Sequence, residues 1–172
     1  VPSAHVDFAG VRVSTDSVLG RSDVVTAVVD RITLAQCADQ VCVVTGALDR
    51  TATYAREREQ FSRPIGSFQA VAQRLADGYI DVRAATLTTL QAAYVVGAGE
   101  PAGTELATAK FWAAEAGHRV AHTAVHVHGG VGIDTSHPLH RYFLRAKQNE
   151  FALGSATAAL RRIGRVLAAE PA

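Results

Sequence analysis

Between Tyr54 and Gln69 (YAREREQFSRPIGSFQ) one long segment of helical apolar periodicity stops, the chain turns through Pro64 and Gly66, and a second such segment starts. Two long helices joined by so short a turn have to lie side by side and antiparallel, so this stretch points to a helical bundle built on that pair. The same residues place Arg56, Arg58 and Arg63 around one aromatic, Phe61, and close with Phe68-Gln69 at the start of the next helix. Guanidinium groups grip phosphate oxygens bidentately, a ring stranded among charges can cover something flat, and a helix opening at Gly66 to Gln69 favours an anion. The plainer reading is a solvated helix end, with Arg58 in a surface ion pair to Glu57 or Glu59.

Before the bend, apolar residues at Val25, Val28, Val29, Ile32, Ala35, Ala38, Val41, Val44 and Leu48 form a helical stripe near thirty residues long, with Ser22 and Asp23 as its cap. After it, Val71, Leu75, Ile80, Val82, Leu87, Leu90, Tyr94 and Val95 predict a helix from about Ser67 to Val96, ended by Gly97-Ala-Gly-Glu-Pro101. A third helix is expected from about Gly103 to His126, and its small residues allow close approach. Gly129 to Ser136 reads as a loop, with a fourth helix from His137 to about Phe151 and a fifth from Ser155 to Leu167. At the other end, Val6, Phe8, Val11 and Val13 alternate with His5, Asp7 and Arg12 about an Ala9-Gly10 turn, the pattern of a strand pair. The expectation is an all-α antiparallel bundle over 21–172, preceded in 1–20 by a strand remnant.

With 172 residues, 48% of them hydrophobic, and a formal net charge of +1, the chain is neither disordered nor an electrostatic binder of nucleic acid. No apolar run reaches the roughly 20 residues a membrane span needs. Cys37 and Cys42 would sit about 140° apart on a helix and cannot pair with each other. Two cysteines without a secretory signal fit a reducing cytoplasm. There is no Met, and Val1-Pro2-Ser3 reads as the middle of a strand, which suggests a missing true N-terminus.

His118, His122 and His126 recur every fourth residue, with His128 just beyond, a spacing that could seat a metal. No Glu-x-x-His pairs accompany them and only Glu115 is near, so they read as surface or packing histidines and no metal is assigned.

Three motifs give the chain a family likeness. Tyr54 to Asp77 resembles the acyl-CoA dehydrogenase pattern in which a helix ends in R-x-x-F-G-x-x-I-x-x-F-Q and the next carries LAD. Val125-His-Val-His-Gly-Gly-Val-Gly132 resembles that family's Q-x-x-G-G-x-G turn, and Arg141-Tyr-Phe-Leu-Arg-Ala-Lys147 its R-x-x-R-D-A-K helix, with Leu144 and Arg145 where the pattern has Arg and Asp. The resemblance implies the family's C-terminal helical domain following the last strand of its β-domain. It also implies FAD as cofactor, an acyl-CoA thioester as substrate and β-oxidation as the setting. Arg58 falls on the Arg that reaches the FAD pyrophosphate of a neighbouring subunit, Phe61 on the aromatic beside it, and Gln60 and Gln69 on polar nucleotide contacts. Gly129 and Gly130 match the turn that lets backbone approach the flavin nucleotide. His126 stands in place of its Gln, and Ser62 in place of the Gly that usually follows the Phe.

The implied reaction removes an α-hydrogen as a proton and passes the β-hydrogen as hydride to the flavin, so a carboxylate base is needed. The family carries that Glu before a Gly after the DAK helix, or on the first long helix. Gap-free alignment puts Leu153 and Ile32 at those positions, and neither can take a proton. Glu150, one turn before Leu153, and Asp30 are the nearest carboxylates. The segment from His128 to Ala156 resembles actinobacterial dehydrogenases of sterol side-chain breakdown, built as heterotetramers of two kinds of subunit, of which one supplies the base. The first expectation is therefore a subunit that completes FAD sites beside a second dehydrogenase-like chain, with a steroid-CoA as one candidate substrate. A homotetramer with a displaced base and a non-catalytic helical interaction module are the alternatives.

Overall fold

The computed structural model describes residues 4–20 and 22–169, without the side chains of Ser22 and Asp23. Five α-helices carry the fold: α1 (Ser22–Glu57), α2 (Gln69–Gly97), α3 (Gly103–His128), α4 (Leu139–Phe151) and α5 (Ala156–Ala169). The expected cap at Ser22 and Asp23 and the strand at Val1 to Ser3 lie outside what is described.

Helix α1 is longer than its apolar stripe suggested because nothing in the chain stops it before Arg58. Its buried positions, Cys37, Gln40, Val44, Ala47, Leu48, Thr51 and Ala55, follow the three-and-four spacing of one helical face. Its first third behaves differently: Val24, Val25, Val28, Val29 and Ile32 are 37–62% exposed, so the helix stands proud of the bundle there.

Helix α3 is the axis, and its interior face is largely alanine. That lets neighbours approach closely, and Gly117 marks the tightest point. A Cβ there would lie 1.6 Å from Gln40 Nε2, and the Gln40 amide crosses this gap to donate to the Ala146 carbonyl at 3.1 Å. One cluster of Val44, Ala47, Leu48, Val82, Ala85, Ala116 and Val120 and another of Cys37, Ala92, Ala102, Leu106, Ala109 and Ala113 fill the space between α1, α2 and α3. Arg119 on α3 clamps Asp81 on α2 through two bonds of 2.7 and 2.6 Å.

The chain reverses differently from the expectation. Its turning point is Phe61–Ser62, not Pro64 and Gly66. Strands β1 (Glu59–Gln60) and β2 (Arg63–Pro64) pair antiparallel with Gln60 opposite Arg63. Phe61 (φ 53°) and Ser62 (φ 61°) are both left-handed, the arrangement of a two-residue hairpin loop that usually takes Asn-Gly. Gly66 then folds under the end of α1, where a Cβ would press to 3.0 Å on the Ala55 carbonyl.

The strand pair expected over residues 5–13 is not formed. Among the described residues of 4–20 there is only a turn at Ala9–Gly10 and a short 3-10 turn at Thr15–Ser17. Val6, Phe8, Val11 and Val13 are exposed. An alternating pattern becomes a stable sheet only with further strands or a helix face to pack on, and here it has neither.

Since α2 runs back along α1 and α3 returns parallel to α1, the C-terminal ends of α1 and α3 and the N-terminal ends of α2 and α4 gather at one end of the bundle. The C-terminal end of α4 and the protruding part of α1 lie toward the other.

Candidate functional site

Tyr54 in the last turns of α1 stacks on His128 at the end of α3, ring centroids 4.3 Å apart and 19° from parallel. This contact brings the Arg58–Gln69 bend and the Gly129–Gly130 turn, some seventy residues apart in sequence, to the same end of the fold.

Within the bend, Arg63 lies over the Phe68 ring at 4.3 Å, and Phe68 meets Phe61 edge to face at 6.2 Å. Phe61 itself is 90% exposed on its left-handed residue. Holding a large apolar ring in water on a left-handed backbone costs free energy. Gln60 donates only to the Glu59 carbonyl, at 2.7 Å. The side chains of Arg58 and Gln69 are exposed and have no hydrogen-bond or ion-pair partner among the described residues. The ion pair of Arg58 with Glu57 or Glu59 is therefore not made, and its five donors are free.

Across the end, Gly129 (φ 62°) terminates α3 and Gly130 follows. A Cβ at either would meet nothing within 4 Å, and Gly130 is not left-handed, so neither conformation nor packing inside this chain requires glycine at 130. Gly132 is the contrast, since its Cβ would strike the Val125 carbonyl at 2.7 Å. Bare backbone at Gly129–Gly130 beside an unpaired guanidinium and an exposed ring suits a phosphate-bearing, partly flat ligand. His126 is exposed on this end of α3.

Sequence reasoning passed over the residues that join the two motifs. His128 is buried and donates from Nδ1 to the Ala124 carbonyl at 2.8 Å. Burial, opposed by that bond and reinforced by His137, holds its pKa below the ordinary imidazole value. His137 lies 5.5 Å from it, and Asp49, Arg50, Thr53, Tyr54 and Glu57 of α1 complete a cleft of about 400 Å³. The only signal in the sequence was Tyr54 one turn before Arg58.

The histidine ladder has other work. His118 sits 3.2 Å from both Glu150 and Lys147, and His122 packs edge-on against Phe143. Among the described residues no group of three or more His, Cys, Asp or Glu could hold a metal.

Toward the far end, α4 runs antiparallel to α1. Arg145 and Asn149 both bond Asp39, at 2.8 and 2.5 Å, in the same pairing as Gln40 to Ala146. Leu153 follows the end of α4 and is left-handed (φ 56°), and Ile32 lies two turns before Gln40 on α1; both are about half exposed and apolar, so neither position carries a carboxylate. Glu150 faces elsewhere. Its carboxylate accepts from Lys147 at 2.5 Å and meets His118 of α3, leaving it engaged by these two side chains rather than poised over open space. Lys110, buried, donates to the Asn149 carbonyl at 2.7 Å and so neutralises the negative end of α4. Burial lowers the pKa of that ammonium, and it pushes the neighbouring Cys37 thiol up to about 11.

Comparison with known proteins gives this geometry its context. The family model for "Acyl-CoA dehydrogenase, C-terminal domain" matches residues 23–168. Acyl-CoA dehydrogenase FadE27 of Mycobacterium tuberculosis is 57% identical over 176 residues, covering 98% of this chain and 47% of the relative. Acyl-CoA dehydrogenase IpdE2 of Mycolicibacterium smegmatis is 37% identical over 78% of this chain and 42% of its own length. The chain thus spans about half the length of the curated relatives it matches. Among solved structures, the ChsE4-ChsE5 complex from Mycobacterium tuberculosis superposes with a TM-score of 0.90 at 62% identity, covering 93% of this chain and 44% of that one. The Tcur3481-Tcur3483 steroid ACAD G363A variant gives 0.79 at 45% identity, covering 81% and 38%.

Proposed function

The chain belongs to the acyl-CoA dehydrogenase family, carrying its C-terminal domain, and we propose that it works as one subunit of an FAD-dependent enzyme that desaturates an acyl-CoA thioester. Its Arg58 end receives the nucleotide part of a FAD held largely by a neighbouring subunit. The observation that carries this reading is the unpaired Arg58 guanidinium at the same end as the open Gly129–Gly130 backbone.

In this role Arg58 offers its fork to the pyrophosphate, Gln69 and Gln60 offer amides, and Phe61 covers an apolar flank. Gly129 and Gly130 let the nucleotide lie against main chain. His126 replaces a longer amide and makes a weaker contact. When bound, the flavin supplies the acceptor for the substrate's β-hydrogen. What this chain supplies at its other end is an apolar rim at Leu153 and Ile32 that excludes water without contributing a base. The base then belongs to a partner subunit, and the engaged state of Glu150 speaks for that reading over a self-sufficient homotetramer.

Two features support a multi-subunit assembly. Ile80, Arg83, Leu87, Leu90 and Tyr94 follow three-and-four spacing along the outside of α2, and their four large apolar members are 57–79% exposed, a seam ready for another helix. One of the similar structures is a complex of two differently named chains, and another is described as a steroid ACAD. On that basis a steroid-CoA is the proposed substrate, a second dehydrogenase-like chain the proposed partner, the cytoplasm the proposed compartment, and residues 1–20 the proposed end of a β-domain.

The test is the flavin content of the assembled protein. Arg58→Ala should lower the flavin-to-protein ratio while the bundle's melting temperature stays put, since the exposed side chain makes no hydrogen bond or ion pair among the described residues. Unchanged flavin content would remove the assignment. Co-expression with the dehydrogenase-like partner should be needed for yellow colour and turnover, and turnover by this chain alone that Glu150→Gln abolishes would favour the homotetramer.

A further inference from the structure

The cleft joining the two motifs is lined by charged and aromatic residues, none of them among the nucleotide contacts proposed above. His128 is 5% exposed, and because Nδ1 is committed as a donor to Ala124, its neutral ring keeps Nε2 as a lone-pair acceptor with no partner among the described residues. The residue is buried while Nε2 is left open to a donor from outside the chain. Glu57, one turn beyond Tyr54, and Asp49, on the same face two turns back, line the same cleft and make no ion pair among the described residues. Arg50, which also lines the cleft, is engaged on its other side: Nε donates to the Tyr142 hydroxyl at 3.0 Å and the guanidinium lies 5.3 Å over that ring. On the opposite wall His137 accepts at Nδ1 from the Leu139 amide at 3.3 Å, so its Nε2 carries the proton. The cleft therefore presents one imidazole acceptor, two carboxylates without an ion pair among the described residues and the stacked Tyr54–His128 rings.

We propose that this cleft is a docking notch for an arginine side chain of the adjacent subunit, its guanidinium shared between Glu57 and His128 Nε2 within the field of Asp49. A guanidinium fits where an ammonium fits less well, since it is planar, spreads its donors in a fork and lies flat against aromatic rings. The volume of about 400 Å³ takes one such side chain. The source is the adjacent subunit because the notch is continuous, through the Tyr54–His128 contact, with the end assigned to a neighbour's nucleotide; to that extent the inference rests on the function proposed above. The notch would key the register of that neighbour, an electrostatic role separate from holding the flavin.

The experiment compares the intact protein and its Asp49→Asn, Glu57→Gln double variant, each co-purified with the dehydrogenase-like partner, by the dissociation constant of the assembly and by flavin per assembled complex. Both replacements keep side-chain shape at sites without hydrogen-bond or ion-pair partners among the described residues, so the variant should melt with the parent. Dissociation should become about tenfold easier or more, the loss expected for a charge-assisted contact, and its salt dependence should shrink, with flavin per remaining complex unchanged. An unchanged dissociation constant overturns the notch. Flavin lost with assembly intact also overturns it, assigning the cleft to the nucleotide instead. Failure of the Arg58→Ala test leaves these readouts untouched, so the two ideas fall separately.

Discussion

Adding one methyl group at residue 117 tests the packing that sets α1 against α4. In Gly117→Ala the new Cβ would stand 1.6 Å from Gln40 Nε2 and 2.9 Å from its Cδ, well inside contact distance, so the amide has to leave. Its departure strips the buried Gln40 amide of its bond to the Ala146 carbonyl at 3.1 Å, while its Oε1 already has no partner among the described residues. An unpaired buried donor costs about 1–3 kcal/mol, and the crowding of the displaced side chain a further 1–3 or so. Alanine is the better helix former by about 1 kcal/mol and offsets part of this. A net loss near 3 kcal/mol follows, which for a domain of this size lowers Tm by roughly 6–12 °C. Thermal unfolding followed by far-UV circular dichroism reads it directly. The companion measurement is Gln40→Ala in both backgrounds: with the amide gone the methyl has room, so the double variant should lose markedly less than the two single changes added together. A Gly117→Ala protein as stable as its parent, or strictly additive double variants, would refute the argument.

Other perturbations have plain outcomes. Ser62→Gly relieves a left-handed residue at an exposed hairpin tip and should raise stability by about 1 kcal/mol, seen as an upward shift in Tm. His128 has a folded pKa below its ordinary value of 6.5, so the unfolded chain binds the extra proton first. Stability from this group is present above pH 6.5 and is lost as the pH falls below it, and His128→Gln should flatten that acid limb in a pH series of denaturant titrations. Arg58→Ala and the Asp49→Asn, Glu57→Gln pair separate flavin retention from subunit affinity, the first moving flavin content alone and the second the dissociation constant alone.

What the sequence made legible was whatever depends on local period. The stripe from Val25 to Leu48 and the unbroken run after Gln69 announced two long helices, and Gly97 to Pro101 announced their next neighbour, because apolar spacing and turn residues act over a few positions. The reversal at Phe61–Ser62 was hidden, since Pro64 and Gly66 carry the stronger turn propensity, and the left-handed pair is imposed by the closing of β1 on β2. The alternation at residues 5–13 misled for the opposite reason: period two describes a surface that wants a sheet, and whether a sheet exists is decided elsewhere. Arg58, Phe61, Gly129 and Gly130 were named from motifs, yet their meeting at one end depends on α3 returning parallel to α1. No pattern in either segment encodes that, and the Tyr54–His128 contact and the cleft beside it could only come from the folded chain.

The reach of α1 carries its own consequence. From Ile32 to Glu57 the helix advances about 38 Å at about 1.5 Å per residue, so the apolar position at Ile32 and the phosphate grip stand far apart along one helix. They are too far apart to attend the same thioester. On the proposed reading each copy stands between two reaction chambers, closing one with hydrocarbon and fastening the coenzyme of the next.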